Sequence, residues 1–289
     1  MILRLRDRTL DLSEPVLMGI VNATPDSFSD PQGPKEPADL VQTALAQVEA
    51  GAAIIDVGGE SGRTDTVAVP VEEEAARVVP VVERLAAAGV TVSVDTWRAP
   101  VARASLEAGA VMINDVSGLS DTGVAGACAE TGAALVITHT QAPPKTKAFP
   151  AYDDVVREVE AFLDERVELA RAHGVGHDQL VLDPGIDLAK TPAESVELLR
   201  SLPRLAARGL PLLLAVSRKD FVGALTERPP GARDPGTLAA VGAAVRGGAR
   251  ILRVHDVAGA RDYLRVHSAL DRGTESTLEL PDDLRRETV

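Results

Sequence analysis

The sequence has few aromatic residues and a single cysteine. Phe, Trp and Tyr make up 2% of the 289 residues, so the core must be built from Ala, Val, Leu and Ile, which suits buried parallel strands beneath Ala-rich helices. The lone Cys128 excludes an internal disulfide, and its Ala-rich surroundings are typical of a small core residue. These shortages indicate an α/β protein that folds without disulfide bonds.

Long apolar runs are also missing, and basic residues are outnumbered. No run approaches the roughly 20 apolar residues that span a bilayer, and the first residues alternate polar and apolar positions instead of forming the apolar centre of a signal peptide. Thirty Lys and Arg against 43 Asp and Glu give a net charge of −13, which repels nucleic acid. We therefore expect a cytoplasmic protein that binds small molecules and neither a membrane nor a nucleic acid.

What the chain does contain is a regular alternation of short apolar runs with longer amphipathic ones. Eight runs are predicted strands, which read VLMGIVN, AIIDVGG, VTVSVD, AVMINDV, AALVITHT, QLVLDPG, PLLLAVSR and RILRVHDV. Strands that alternate with helices form parallel sheets with right-handed crossovers. Eight such units favour a closed (β/α)8 TIM barrel over an open doubly wound sheet.

The barrel is predicted to form a single domain. Residues 1–15 are interpreted as an N-terminal hairpin that closes the bottom of the barrel, residues 16–272 as the barrel, and residues 273–289 as an irregular tail. The segment RPPGARDPG, residues 228–236, reads as a loop inside the seventh unit.

Polar side chains recur where the predicted strands end. They are Asn22, Asp56, Glu60, Asp95, Asn114, Asp115, His139, Asp183, Ser217, Arg218, Lys219, Arg253, His255 and Asp256. Because the carboxyl ends of parallel barrel strands share one rim, we expect these side chains to converge there. A single polar strand end is ordinary, whereas eight in succession point to a site.

The chemistry of this rim favours a ligand with two different ends. Asp95, Asn114 and Asp183 can pair with a planar heterocycle rich in N–H groups. Lys219, Arg253 and His255, with Arg63 in the loop after the second strand, suit a phosphate or pyrophosphate.

Seven segments, in order and within residues 17–270, resemble the dihydropteroate synthase family. They are MGIVNATPDSFSD, IIDVGGESGR, SVDTWR, IND, LDPGI, SRKDF and RVHDV. The resemblance implies a TIM-barrel transferase of folate biosynthesis that joins 6-hydroxymethyl-7,8-dihydropterin pyrophosphate to 4-aminobenzoate and releases pyrophosphate. It also implies Mg²⁺ as cofactor and a homodimer.

The resemblance further assigns roles to individual residues, with Asp95, Lys219 and Arg63 as the catalytic group. The pterin would be held by Asp95, Asn114, Asp183 and Lys219, and the pyrophosphate by Asn22, Arg63, Arg253 and His255. Asn22 would also bind Mg²⁺. Ser217, Phe28 and Leu188 would line the aminobenzoate side, and the loop around Asp26 and Ser27 would close over the reacting centre.

Three departures from the family pattern fall on the substrate side. Gly62 stands where the family has Thr, Thr138 to Thr140 read THT in place of Met-His-Met, and Asp187, Leu188 and Ala189 replace Gly-Phe-Gly. We expect them to weaken aminobenzoate binding more than pterin binding. Two alternatives therefore stay open at this point, a pterin-binding paralogue with weak or no synthase activity and a pterin-dependent methyltransferase barrel.

Overall fold

A computed structural model describes residues 1–24, 36–60, 68–273, 278 and 280. Ten strands occur in these ranges: β1 (Ile2–Leu5), β2 (Arg8–Asp11), β3 (Val16–Asn22), β4 (Ala52–Gly58), β5 (Val92–Asp95), β6 (Met112–Asp115), β7 (Ala134–Thr138), β8 (Leu180–Asp183), β9 (Leu212–Leu214) and β10 (Ala249–Val254). Strands β3 to β10 form a closed barrel in which every pair is parallel, and β10 pairs with β3. The predicted TIM barrel is confirmed.

Helices surround this barrel. They are α1 (Pro37–Glu49), α2 (Val71–Ala87), α3 (Ala99–Glu107), α4 (Gly123–Thr131), α5 (Val155–Ala172), α6 (Pro192–Ala206), α7 (Asp220–Thr226), α8 (Asp234–Arg246) and α9 (Val257–Arg272), with 3-10 turns at His177–Gln179 and Pro230–Ala232. Helix α2 continues through Pro80. The second 3-10 turn lies in the loop predicted within the seventh unit. No helix in the described ranges combines the length and the apolar character needed to cross a membrane.

The antiparallel hairpin β1–β2 fills one end of the barrel, as predicted. Leu3, Leu5 and Leu12 pack in one buried cluster with inward-facing strand residues such as Met18 and Met112. A second, larger cluster lies between the strands and the helices, and it includes the buried Cys128. The interior is thus apolar at the hairpin end, which leaves the opposite end for polar side chains.

Candidate active site

Strand register places three of the predicted site residues in one row. Asn22 pairs with Gly58, Gly58 with Asp95, and Asp95 with Asn114. A methyl group placed on Gly58 would lie 3.7 Å from Cβ of Asp95 and 3.8 Å from Oδ1 of Asn22. The glycine therefore leaves open the space that these two side chains flank.

Arg253 connects this row to a deeper carboxylate. Its Nε lies 2.7 Å from Oδ2 of Asp56, and its Nη2 lies 3.1 Å from Oδ2 of Asp95. Asn114 donates from Nδ2 to the same oxygen of Asp56 at 3.0 Å. Asp56 is fully buried, whereas the side chain of Asp95 is 21% exposed. One guanidinium is thus shared by two carboxylates, of which only Asp95 reaches the open cleft.

Burial and the neighbouring charges of Arg253 and Asp56 determine the pKa of Asp95. Burial raises the pKa of Asp95 to about 7, Arg253 opposes this rise, and the neighbouring Asp56 adds to it. Burial also raises the pKa of Asp183, whose carboxylate accepts a hydrogen bond from the Gly185 N–H at 2.7 Å. Without a ligand, the cleft therefore holds buried carboxyl groups whose charged form is disfavoured. A ligand that donates N–H hydrogen bonds to them would stabilise that charged form.

Asn114 offers an acceptor oxygen that none of the described residues uses. Its side chain is 2% exposed, and its Oδ1 has no hydrogen-bond partner among the described residues. A buried acceptor without a partner disfavours the folded state by about 1–3 kcal/mol. A ligand N–H that reached this oxygen would recover that free energy.

Ser217 and His255 form a separate pair at the rim. His255 Nδ1 lies 2.9 Å from Ser217 Oγ, and the His255 backbone N–H donates to the same oxygen at 3.2 Å. Desolvation, followed by the cations Arg253, Arg218 and Lys219, lowers the pKa of His255 to about 4. The imidazole is neutral at pH 7, and a bound polyanion would raise its pKa.

Lys219 lies beyond the seventh barrel strand. The sequence predicts a strand that runs to the SRK segment, whereas β9 ends at Leu214 and Arg218 has a left-handed backbone with φ of 58°. Arg218 pairs outward with Asp234 at 2.8 Å. Lys219 is half-buried and precedes α7, and the charges that raise its pKa include Asp183 of the neighbouring strand.

Other predicted residues have different outcomes. Leu188 lies partly exposed in the loop after β8. Phe28 and Arg63 lie outside the described residues, as does Gly62. His139 directly follows β7, and its backbone N–H donates to the Asp183 carbonyl oxygen at 2.9 Å. Its side chain is fully buried, and its ring contacts Phe162 edge to face at 4.7 Å between centroids.

Asp56 belongs to this candidate site although its sequence position predicts no role for it. It lies at the end of a predicted strand, and nothing in its own segment indicates partners that are 58 and 197 residues away. A signal was available in the spacing, since Asp56 and Gly58 are two residues apart on β4 and share a face. A buried carboxylate is stabilised by a paired cation, and Arg253 of β10 pairs with Asp56.

A family model described as "Pterin binding enzyme" matches residues 18–255. The chain is also 44% identical over 269 residues to the dihydropteroate synthase of Mycobacterium leprae (strain TN), which covers 90% of this chain and 95% of that protein. Both matches span the barrel and the row of polar strand ends.

Solved structures agree with this similarity. The Xanthomonas albilineans dihydropteroate synthase with 4-aminobenzoic acid has a TM-score of 0.88 at 44% identity, covering 94% of this chain and 99% of that one. The same enzyme in complex with 7,8-dihydropteroate gives a TM-score of 0.84 at 44% identity, covering 93% and 99%.

Proposed function

Because this chain belongs to the pterin-binding enzymes and, within them, to the dihydropteroate synthases, we propose that it joins 6-hydroxymethyl-7,8-dihydropterin pyrophosphate to 4-aminobenzoate. The products are 7,8-dihydropteroate and pyrophosphate. The observation that supports this most directly is the guanidinium of Arg253, which pairs with both Asp56 and Asp95. Asp95 remains 21% exposed, so its carboxylate can also contact a ligand in the cleft.

We propose that the pterin binds against Asp95, Asn114, Asp183 and Lys219. The buried, unpartnered oxygen of Asn114 and the raised pKa values of Asp95 and Asp183 favour a ring that presents several N–H groups. Lys219 can donate to a ring carbonyl or nitrogen. Since the ring would replace water around buried carboxyl groups, removing one of them leaves ring donors unpaired, at about 1–3 kcal/mol each.

The diphosphate group is proposed to bind at Asn22, Arg63, Arg253 and His255, next to the pterin groups, since Arg253 lies 3.1 Å from Asp95. Arg253 is already engaged by two carboxylates, so its role toward the diphosphate is to add positive potential more than to form a free bidentate clamp. His255 is neutral in the free enzyme and would take up a proton as the polyanion binds.

The reaction follows from this arrangement. The bond between the methylene carbon and the diphosphate oxygen breaks, and the electron pair leaves with pyrophosphate. The amino nitrogen of 4-aminobenzoate bonds to the methylene carbon and then loses a proton. Cationic groups at the rim stabilise the leaving diphosphate, and ionised Asp95 stabilises the positive charge that develops on the methylene. The reaction therefore needs no covalent intermediate with a protein nucleophile.

The aminobenzoate is proposed to bind beside Ser217, Phe28 and Leu188. Leu188 is partly exposed in its loop and can contact an aromatic ring. Of these three residues, Ser217 also touches His255, so the second substrate lies next to the diphosphate subsite.

Mg²⁺ is proposed to accompany the diphosphate, with Asn22 as its protein ligand. The described residues contain no group of three His, Cys, Asp or Glu side chains suited to a metal. A single amide oxygen fits Mg²⁺ only where phosphate oxygens and water complete an octahedron, which the diphosphate would allow. Bound Mg²⁺ would neutralise charge on the leaving group, and activity titrated with Mg²⁺ after chelation tests this.

The decisive experiment is a pyrophosphate-release assay with and without 4-aminobenzoate, combined with mass spectrometry of 7,8-dihydropteroate. We expect release to depend on 4-aminobenzoate and to match product formation one to one. Calorimetry of dihydropterin binding to Asp183→Asn should show weaker affinity, with the exposed Asp153→Asn as control. Release that is independent of 4-aminobenzoate at every concentration would contradict the proposal and favour a pterin-binding protein without synthase activity.

We also propose that the enzyme is a cytoplasmic homodimer. An apolar groove of about 540 Å³ lies between α6, α7 and α8, and Leu225 at its edge is 70% exposed. Exposed apolar surface of this kind often marks a protein contact. Light scattering should give twice the mass of the chain, and Leu225→Glu should reduce it to that of the monomer if this face is the contact.

A further inference from the structure

The loop between β8 and α6 contains two residues with an unfavourable backbone. Asp187 has φ of 62° and Ala189 has φ of 52°, in the left-handed region that favours glycine. Residues with a Cβ keep such conformations only where surrounding contacts hold them. The contacts that hold Asp187 therefore indicate what this loop does.

The carboxylate of Asp187 joins three elements. Its Oδ2 accepts hydrogen bonds from the backbone N–H groups of Asp220 and, at 3.3 Å, Phe221. Its Oδ1 accepts from Ser195 Oγ at 2.9 Å, and the Asp187 N–H donates to that hydroxyl at 3.1 Å. Asp187 thus ties its own loop to helix α6 and to the first turn of helix α7.

The segment held in this way is the one that carries Lys219. Lys219 immediately precedes Asp220 and Phe221, whose backbone N–H groups donate to Asp187. From the other side, Arg233 donates to the carbonyl oxygens of Arg218 at 2.9 Å and Lys219 at 3.1 Å. The backbone of Lys219 is therefore fixed between an acid and an arginine, neither of which was predicted as part of the site.

Asp187 also acts on the charge of Lys219. Desolvation lowers the pKa of Lys219, and Asp187 is the strongest of the groups that raise it. The charged groups that face Lys219 come from several elements: Asp187 of the loop, Asp183 of β8, Asp220 of α7 and Arg253 of β10, while Lys190 and His255 have their own pKa values lowered by Lys219. Both the hydrogen bonds of Asp187 and its negative charge therefore connect it to Lys219.

We propose that Asp187 is a positioning residue for Lys219, which holds the ammonium group in the cleft and keeps it charged for the incoming pterin. Asp187 acts through the N-terminal turn of α7 and through its own negative charge. The proposal rests on the proposed role of Lys219 in pterin binding. It adds a residue from a loop where this chain departs from the family pattern.

The test uses Asp187→Asn, because asparagine accepts a left-handed backbone and keeps one side-chain oxygen while losing the charge. Trace acetylation of the substrate-free protein, followed by mass spectrometry, compares Lys219 with the exposed Lys147. With less negative charge nearby, Lys219 should lose its proton more readily and label about threefold faster at pH 8. In turnover, the KM for dihydropterin pyrophosphate at pH 9 should rise about three- to tenfold, with a smaller change in kcat.

Asp154→Asn is the matched control. Asp154 accepts from the Arg157 N–H at 3.0 Å at the start of α5, so it makes the same kind of contact on a helix that does not carry Lys219. Its labelling and KM should match wild type. Should Asp187→Asn fold poorly, Asp187→Gly removes the charge without backbone strain and gives the same readout.

Unchanged labelling of Lys219 in a folded Asp187 variant would overturn the proposal, as would equal changes in Asp154→Asn. The labelling arm needs no substrate. A wild-type protein that fails to condense the two substrates would therefore reject the proposed function while leaving the effect of Asp187 on Lys219 measurable.

Discussion

The pH dependence of the reaction should follow the ionisation of Asp95. In the reaction proposed above, this carboxylate must be charged to accept pterin N–H bonds and to stabilise the cationic methylene. Burial raises its pKa from 3.8 to about 7, which disfavours the charged form by about 4 kcal/mol. In the free enzyme, kcat/KM should therefore fall about tenfold for each pH unit below 7.

Two variants should shift this fall of kcat/KM at acidic pH, the acidic limb of the pH profile, in opposite directions. Asp56→Asn removes a charge that raises the pKa of Asp95 and leaves Arg253 to pair with Asp95 alone, so the limb should move to lower pH. Arg253→Gln removes the cation that lowers the pKa of Asp95, so the limb should move to higher pH. The assay is pyrophosphate release at subsaturating dihydropterin pyrophosphate between pH 5 and 9, on samples whose folding is checked by circular dichroism.

The substrate also titrates near neutral pH, and this is controlled by comparing variants with one substrate. Asp164→Asn removes an exposed carboxylate that pairs with Arg208 at 2.7 Å on the outer surface, and its limb should coincide with wild type. If the limb stays in place in both cleft variants, the titrating group belongs to the substrate and Asp95 does not control the rate.

Three further outcomes are expected. Asp95→Asn should raise the melting temperature of the substrate-free protein at pH 8 but not at pH 4. A carboxyl group whose pKa is raised on folding lowers the stability of the folded protein as pH increases from 3.8 to about 7, and thermal melts at both pH values check this. Lys190→Met should lower the free energy of unfolding in urea by about 2–4 kcal/mol, because the Lys190 ammonium donates to the carbonyl oxygens of Gly185 at 2.9 Å and Leu188 at 3.0 Å. Leu188→Phe and Gly62→Thr should each lower the KM for 4-aminobenzoate about three- to tenfold and leave that for the pterin substrate unchanged; steady-state kinetics with each substrate varied would contradict this if both KM values moved together.

The barrel and most of its strand ends could be predicted because the relevant signals are local. Apolar runs such as AIIDVGG identify a strand and its last residue, and a closed parallel barrel then brings all such ends to one rim. Asn22, Asp95 and Asn114 lie in one row for this reason, as the strand register shows.

Side-chain direction beyond the strands could not be predicted in the same way. His139 and Lys219 both follow predicted strands, yet His139 is buried against Phe162 while Lys219 is half-exposed beside α7. What separates them is loop geometry, which depends on contacts such as Lys190 Nζ to His139 Nδ1 at 2.8 Å across 51 residues. No local pattern in the sequence encodes a contact of that range.

The same distinction explains why groups on strands and groups on loops should respond differently to substitution. The groups proposed for the pterin side, Asp95, Asn114 and Asp183, stand on strands or at their last residue, where hydrogen-bonded neighbours fix the backbone. Leu188 and Lys219 stand on loops whose positions depend on side-chain ties such as that of Asp187 to α7. A substitution in these loops changes position and contact together. At Leu188 the effect should fall on aminobenzoate binding, and at Asp187 it should fall on the contact that Lys219 makes with the pterin. Asp187 makes such a tie, and its own backbone is left-handed. Glycine at this position would adopt the same backbone conformation but could not form the side-chain hydrogen bonds to α7.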